Sequence, residues 1–393
     1  MTRILIIGGG IAGTATALAL HKAGFEAVVH EAHPDSAEDL GAFLTLASNG
    51  MRALAQFDAA ETVAALGFPL TDMRVIDGSG AELADVPLGE PDHPLTRFRC
   101  LRRGELNRAL QAEARRRGIE VRHAAQLDGL VERADRVTAT FADGSTATGD
   151  LVIGADGLNS TVRSLVHPAT AGPRYAGQRV FYGYTTDAPP AGDGSARITM
   201  IRSDSAAFGF AVSPAGETYW FARVSGAPAT PEEITDGTPD RWRDQLVPRL
   251  RRDSTPAAGI VAATGERLLV TNACDLAAGT PWQTGRTLLV GDAAHAASPA
   301  TGQGASMALE DAVVLAKALR DTGSTQQALA TYQRLRRPRV DRNTAASARL
   351  TAGAPATRPG GDHPQGRDPE RQAASGPDQE LIRQLDWDTP LPQ

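Results

Sequence analysis

Lysine is almost absent from this chain: Lys22 and Lys317 are the only lysines among 40 Lys and Arg residues. A mechanism that needs a side-chain amine therefore has two candidates, and both fall in stretches that read as helices. Cysteine is equally scarce. Cys100 and Cys274 have no CxxC partner, which excludes a disulfide framework and a cysteine metal cluster, and both are read as reduced and inert. No metal site is assigned. An excess of positive charge is missing too, since the net charge of -6 gives no electrostatic reason for a nucleic-acid partner. A long apolar run is also lacking: residues 4–20 are interrupted by Gly8, Gly9, Gly10 and Gly13, with neither a cationic leader nor a cleavage site. That argues against a signal peptide or membrane anchor and leaves the cytoplasm as the default location.

What is present suits an α/β enzyme, because 393 residues with 41% hydrophobic and 22% charged side chains are enough for two intertwined domains. Residues 3–7 form a short Ile-rich run, residues 11–23 are good helix formers ending at Gly24, and residues 25–31 read as a second strand. Strand, Gly-rich turn, helix and strand open a doubly wound sheet. Further α/β signals are a helix at 105–117 and strands at 120–123, 127–133 and 151–155. From about residue 175 to 270 the texture changes. Runs such as "RVFYGYTT", "ARITMI", "AAFGFAV" and "TYWFARV" alternate with Gly/Pro/Asp/Ser turns, which predicts an inserted, mainly antiparallel sheet. The α/β pattern returns with "RTLLVGDAAHA" and helices at 305–320 and 326–347. Residues 351–379 have no periodicity and read as a mobile tail, before a short terminal helix in "ELIRQLDW".

Three stretches carry chemistry. "GGGIAG" (residues 8–13) follows a strand and opens a helix, so Gly8, Gly10 and Gly13 match the dinucleotide fingerprint of tight turn, close backbone approach and close helix packing. Glu31, at the end of the next strand, can accept both ribose hydroxyls. The second stretch, "DLVIGADGLNSTVR" (150–163), sets Asp156 after a strand; an ordinary strand-to-helix turn with Ser160 as N-cap explains it as well as a ligand does. The third, "LLVGDAAHAASPATGQGASMALEDA" (288–312), repeats the first layout. There Gly291 and Asp292 follow a strand and a Gly-rich turn precedes a helix from Ala305. His295 inside it is read as ordering backbone rather than moving protons.

Together, in this order and spacing, these stretches resemble the single-component FAD-dependent monooxygenases of the aromatic hydroxylase type, relatives of p-hydroxybenzoate hydroxylase. The resemblance extends to "GAFLTLASNGMRAL" (41–54), "LRRGEL" (101–106) and "YQRLRRPRV" (332–340), and so spans most of the chain to about residue 350. It implies a glutathione-reductase-type Rossmann-like domain for FAD with an inserted substrate sheet. The implied cofactor residues are Gly8, Gly10, Ile11, Ala12, Gly13 and Glu31 on the ADP half, then Arg103, Leu127 and Asp156. On the flavin side they are Gly291, Asp292, Pro299, Gly302, Gly304, Ala305 and Ser306, with "PATGQG" (299–304) wrapping the ring. The chain departs from its relatives at Ala32, His33, Phe43 and Ser48. These positions concern the entrance to the site and leave the fingerprint intact.

The domain limits expected are 1–72, 99–172 and 269–350 for FAD, 73–98 and 173–268 for substrate, and 351–393 for the tail. The resemblance implies that reduced flavin takes up O2 as a C4a-hydroperoxide, whose distal oxygen passes to an aromatic or polycyclic small molecule. Hydroxylation is the first expectation, and epoxidation or Baeyer–Villiger insertion the alternative. NADPH or NADH would dock transiently, because only one dinucleotide fingerprint is present; the sequence does not choose between the two, nor fix an oligomeric state. Tyr182, Tyr184, Phe208, Phe210, Trp220 and Arg223 are the substrate candidates on the inserted sheet, of which period-two alternation sends only one set inward. No residue is assigned as catalytic. A flavin halogenase is disfavoured by the lack of a WxWxIP segment, a reductase without oxygen insertion stays open, and a non-catalytic binding protein is disfavoured by the intact Glu31, Asp156 and Asp292.

Overall fold

Five parallel strands lie side by side in the order Thr287–Leu289, Leu151–Gly154, Arg3–Ile7, Glu26–His30 and Glu120–Arg122, and Gln283–Thr284 adds antiparallel at the edge. They belong to a computed structural model that describes residues 2–35, 42–188, 196–353 and 378–392. Helix packing on one face and a small antiparallel sheet on the other explain the continuous apolar runs, and Ile4, Leu5 and Ile6 are fully buried. Helix Ile11–Lys22 fits between this sheet and helix Gly304–Asp321, which is why it is apolar almost all round, with Ala15, Ala17 and Ala19 at no exposure.

Residues 127–133, expected in the α/β framework, instead start a separate antiparallel sheet of Leu127–Glu132, Val137–Phe141 and Thr146–Gly149. Its alternation is the reason: Val137, Ala139 and Phe141 are buried while Thr138 and Thr140 are not, a one-faced pattern unlike that of the parallel strands. A third small sheet joins Phe43–Leu46, Phe98–Arg102 and Phe68–Leu70. Gly41, the first residue of the quoted "GAFLTLASNGMRAL", lies outside the described residues.

The largest sheet has seven strands, in the order Leu268–Asp275, Arg174–Thr185, Thr218–Ser225, Ala207–Val212, Arg197–Arg202, Asp72–Asp77 and Glu82–Pro87. Every pairing is antiparallel except that of Arg197–Arg202 with Asp72–Asp77. One face carries Phe208, Phe210, Trp220, Ala222 and Val270 against helices Pro239–Leu250 and Ala257–Ala262, closing a core of its own. The other face looks toward the parallel sheet.

Helix Thr325–Thr351 is capped by Ser324 and runs through residue 351, where the sequence suggested that the tail begins. Most of the expected tail, residues 354–377, lies outside the described residues. The terminal helix Gln379–Leu385 does form and docks: Lys317 Nζ donates to the Gln384 carbonyl at 2.8 Å and also to that of Asp386, while Lys22 Nζ lies 5.2 Å from the Trp387 ring centre. Among the described residues no helix is long and apolar enough to cross a membrane.

Candidate cofactor and substrate cavity

Gly8, Glu31, Asp156 and Asp292 are far apart in sequence, yet each follows the carboxyl end of one of four adjacent parallel strands. Parallel pairing brings those ends to one edge of the sheet, where open α/β sheets take ligands. A cavity of about 1500 Å³ opens there and continues to the seven-stranded sheet. Its wall includes Gly8, Gly10, Ile11, Ala12, Glu31, Arg103, Leu127 and Asp156, then Asp292, Pro299, Gly302, Gly304 and Ala305. Gly13, Gly291 and Ser306 are off the wall and act behind it.

The fingerprint glycines divide by what constrains them. A Cβ on Gly8, at φ +104°, would sit 2.4 Å from the Ala155 carbonyl oxygen, and one on Gly13 would sit 1.9 Å from the Gly8 oxygen. Internal contacts alone demand both. A Cβ on Gly10 would meet no described residue within 4 Å, so no packing contact demands this glycine, which stands at the helix N-cap on the cavity wall. Gly291, at φ +57°, has Ala12 at 2.8 Å from the corresponding position and donates its N–H to Asp311 Oδ2 at 3.0 Å. Ser306 turns its Oγ to the Ala47 N–H at 3.2 Å, fixing helix Ser48–Gln56 to helix Gly304–Asp321.

Helices Ile11–Lys22 and Gly304–Asp321, whose N-termini face the cavity, have no side-chain cap. Uncapped N–H groups and the positive dipole end suit phosphate oxygens at one helix and a ring carbonyl at the other. A dinucleotide with a flavin ring therefore fits the residues present.

The carboxylates differ in the same way. Glu31 accepts from Gly9 N at 2.5 Å and His33 N at 2.7 Å. Asp156 accepts from Ser160 Oγ at 2.5 Å and Val162 N at 3.0 Å, and Ser160 itself caps helix Thr161–Val166, so the ordinary turn and the cavity wall are both real. Burial pushes the Asp156 carboxyl up, against the pull of the Ser160 and Val162 hydrogen bonds. Asp292 has no hydrogen-bond or ion-pair partner among the described residues and faces the cavity.

Beneath the Pro299–Gly304 segment lies a buried charge network that sequence reasoning missed. Arg336 bridges Glu310 at 2.6 Å and Asp311 at 2.8 Å, and all three side chains are at no exposure. Asp311 also holds His295 Nε2 at 2.6 Å; Glu310 holds Arg339 at 2.8 Å and Asn49 Nδ2 at 2.6 Å. Asn49 in turn donates to Gln303 Oε1 at 3.1 Å, tying the network to the glycine loop. Burial alone would raise the Asp311 carboxyl, but the His295 ring hydrogen-bonded to it and the Arg336 guanidinium hold it well below the usual range. The available signal was an acidic pair, Glu310–Asp311, inside an otherwise apolar helix. His295 does not line the cavity; it braces this loop.

On the seven-stranded sheet the candidates separate by parity. Tyr182 and Arg223 line the cavity, together with Val180, Ile198, Met200, Phe221 and Thr271, which the sequence reading did not single out. Phe208, Phe210 and Trp220 do not: they point to the opposite face, where Phe208 and Trp220 stack with centres 5.5 Å apart. Tyr184 has the cavity-side parity but packs instead against Phe43 and Tyr219, at 6.1 and 4.9 Å, under the Arg102 guanidinium. Burial raises the Tyr182 hydroxyl above its ordinary value, and the Arg223 and Arg103 charges oppose the shift.

The profile of the FAD binding domain family matches residues 1–347. Aurachin C monooxygenase/isomerase of Stigmatella aurantiaca is 31% identical over 353 residues, covering 88% of each chain. 3-Amino-4-hydroxybenzoate 2-monooxygenase of Streptomyces cremeus is 31% identical over 351 residues, covering 86% of this chain and 84% of that one. Among solved structures, Klebsiella pneumoniae HpxO complexed with FAD and uric acid is similar at a TM-score of 0.79 with 26% identity, covering 98% of this chain and 96% of that one.

Proposed function

Because this chain belongs to the FAD binding domain family of flavin-dependent monooxygenases, we propose that it uses FAD, NAD(P)H and O2 to insert one oxygen atom into an aromatic or polycyclic small molecule, by hydroxylation. The observation that carries this reading is the single cavity that joins uncapped helix N-termini to an apolar sheet face. Its volume of about 1500 Å³ exceeds the ~300–1000 Å³ of a pocket for one small ligand, leaving room for a dinucleotide and a second molecule. Relatives named for a hydroxybenzoate and solved with uric acid support a substrate with a small ring.

In this reading residues 1–72, 99–172 and 269–350 hold FAD, and residues 73–98 and 173–268 hold the substrate. Bound FAD supplies the electron transfer and oxygen activation. The chain's own residues bind and orient: Gly10 lets the diphosphate approach the helix at Ile11, while Glu31 and Asp292 accept hydroxyls of the ribose and ribityl chains. The N–H groups at Gly304 and Ala305 stabilise negative charge that develops on a ring carbonyl. Met200, Phe221 and Ile198 exclude water from the far end. The network through Arg336 and Asn49 keeps the Pro299–Gly304 loop in place.

The test is the absorption spectrum of the purified protein, followed without oxygen on adding NADPH or NADH, and then with air and candidate aromatic compounds. Bound flavin that bleaches faster with one compound and returns an oxygenated product supports the reading. Protein that cannot be loaded with FAD sinks it, and flavin that cycles without any oxygenated product makes the protein a reductase.

A further inference from the structure

Helix Thr325–Thr351 carries six arginines and a single acidic residue, Asp341, in a chain whose net charge is -6. Four of the six are engaged inside the protein. Arg336 and Arg339 belong to the buried network, Arg334 donates to the Pro392 carbonyl at 2.7 Å, and Arg337 donates to the Thr280 carbonyl at 3.1 Å and lies over the Trp282 ring. Arg342 and Arg349 are left. Both are exposed and line the cavity, and neither has a hydrogen-bond or ion-pair partner among the described residues.

A lone exposed arginine needs no explanation, because water solvates it. The placement of this pair does. Seven residues are two helical turns, so both side chains leave one face of the helix, about 10 Å apart along its axis. Between them that face presents Ala345 and Ala346, which leave the wall open. The helix is fixed at this point: Ser298, just before the Pro299–Gly304 loop, bonds Ser347 Oγ at 3.0 Å and Thr351 Oγ1 at 2.6 Å. Asp378, the carboxylate that the terminal segment adds to the wall, lies 3.8 Å from Arg339 and so already faces a cation. The result is a fixed pair of free guanidiniums at the cavity mouth, next to the loop assigned to the flavin ring.

We propose that Arg342 and Arg349 form the docking site for the diphosphate of NAD(P)H. This dinucleotide has no second glycine fingerprint to hold it and must come and go, and exposed guanidiniums bind phosphate oxygens without burying a charge. The inference rests on the monooxygenase reading and names where its reductant docks. The two arginines hold phosphate only. They take no part in the two-electron hydride transfer that oxidises the dihydronicotinamide and reduces bound flavin.

The test mixes FAD-loaded wild type, Arg342→Gln, Arg349→Gln and the double variant, without oxygen, with NADPH, NADH or N-benzyl-1,4-dihydronicotinamide, which has the same hydride-donating ring and no phosphate. Flavin bleaching is followed against reductant concentration at several salt concentrations, and FAD affinity is measured by titration. Each single variant is expected to raise the half-saturating dinucleotide concentration about 5-fold and the double about 20-fold or more, with little change in the limiting rate. Added salt should weaken the dinucleotide in wild type and much less in the double variant. FAD affinity and bleaching by the phosphate-free reductant should match wild type. An unchanged half-saturating concentration in the double variant, an equal loss with the phosphate-free reductant, or a parallel loss of FAD affinity overturns the inference. Wild type that cannot be loaded with FAD, or that neither dinucleotide reduces, overturns instead the reading on which it rests.

Discussion

The two faces of the seven-stranded sheet are made by alternate residues of the same strands, and they are finished differently. On the helix side Trp220 lies across Gly183 much as Phe221 lies across Gly209 on the cavity side, with the ring 2.5 Å from the position of a glycine Cβ in both cases. Trp220 is then sealed by helices, its Nε1 donating to Thr264 Oγ1 at 2.9 Å. Phe221 stays half open, near Arg223, whose Nε and Nη1 have no hydrogen-bond partner among the described residues. The contrast separates residues whose needs the protein meets itself from residues whose needs no described residue meets. It recurs in Gly13 against Gly10, in Asp156 against Asp292 and in Arg336 against Arg223.

The sharpest way to break the contrast is to truncate across the sheet. Trp220→Ala is expected to cost about 3–5 kcal/mol in urea unfolding, while Phe221→Ala costs clearly less and falls mainly on substrate binding; equal losses would erase the distinction. The glycine pair comes next. Gly13→Ala drives a methyl into the Gly8 carbonyl and is expected to lower both stability and FAD affinity, whereas Gly10→Ala should stay within about 1 kcal/mol of wild type in stability and still lose FAD affinity in titration.

His30 belongs to both classes, being buried and stacked on Phe141 at 4.5 Å, yet with both ring nitrogens unpartnered on the cavity wall. Burial, with Arg122 adding to it, pushes its pKa from 6.5 down to about 4. Between those values the unfolded chain binds the proton and the folded one does not, so stability falls as the pH falls from 6.5 to 4. The loss should reach about 2–3 kcal/mol, and His30→Phe should flatten it in a pH series of melting curves. The smallest effects are expected of the aspartates. Asp156→Asn should cost about 1–2 kcal/mol through the Ser160 turn, and Asp292→Asn should leave melting unchanged while FAD titration shows weaker binding.

The parallel sheet and its motifs were legible because each motif is local: strand, turn and helix start fall within a dozen residues of Gly8, Asp156 or Asp292, and parallel pairing does the rest. The inserted sheet was legible as strands but not by parity. Alternation in "TYWFARV" shows that Trp220 and Phe221 face opposite ways without saying which side a helix will cover, and that side is set by residues 239–262 folding back. Tyr184 shows a further limit, since Phe43, from a distant strand, claims it on the correct face. The Glu310–Asp311 network escaped notice because its partner Arg336 comes from another helix, and one acidic pair in an apolar run does not name its cation.

The scarcity of lysine acquires a use once both amines are seen against the terminal segment. Lys317 is held by the Gln384 and Asp386 carbonyls and Lys22 stands over Trp387. Apart from the chain's own α-amine, every acylation site in the protein therefore sits where residues 379–387 dock. Mass-spectrometric footprinting with an amine-reactive ester becomes a two-site gauge of that docking. Lys317, fully buried, is expected to acylate only when the segment lifts, and its labelling rate would count those openings without any engineered tag.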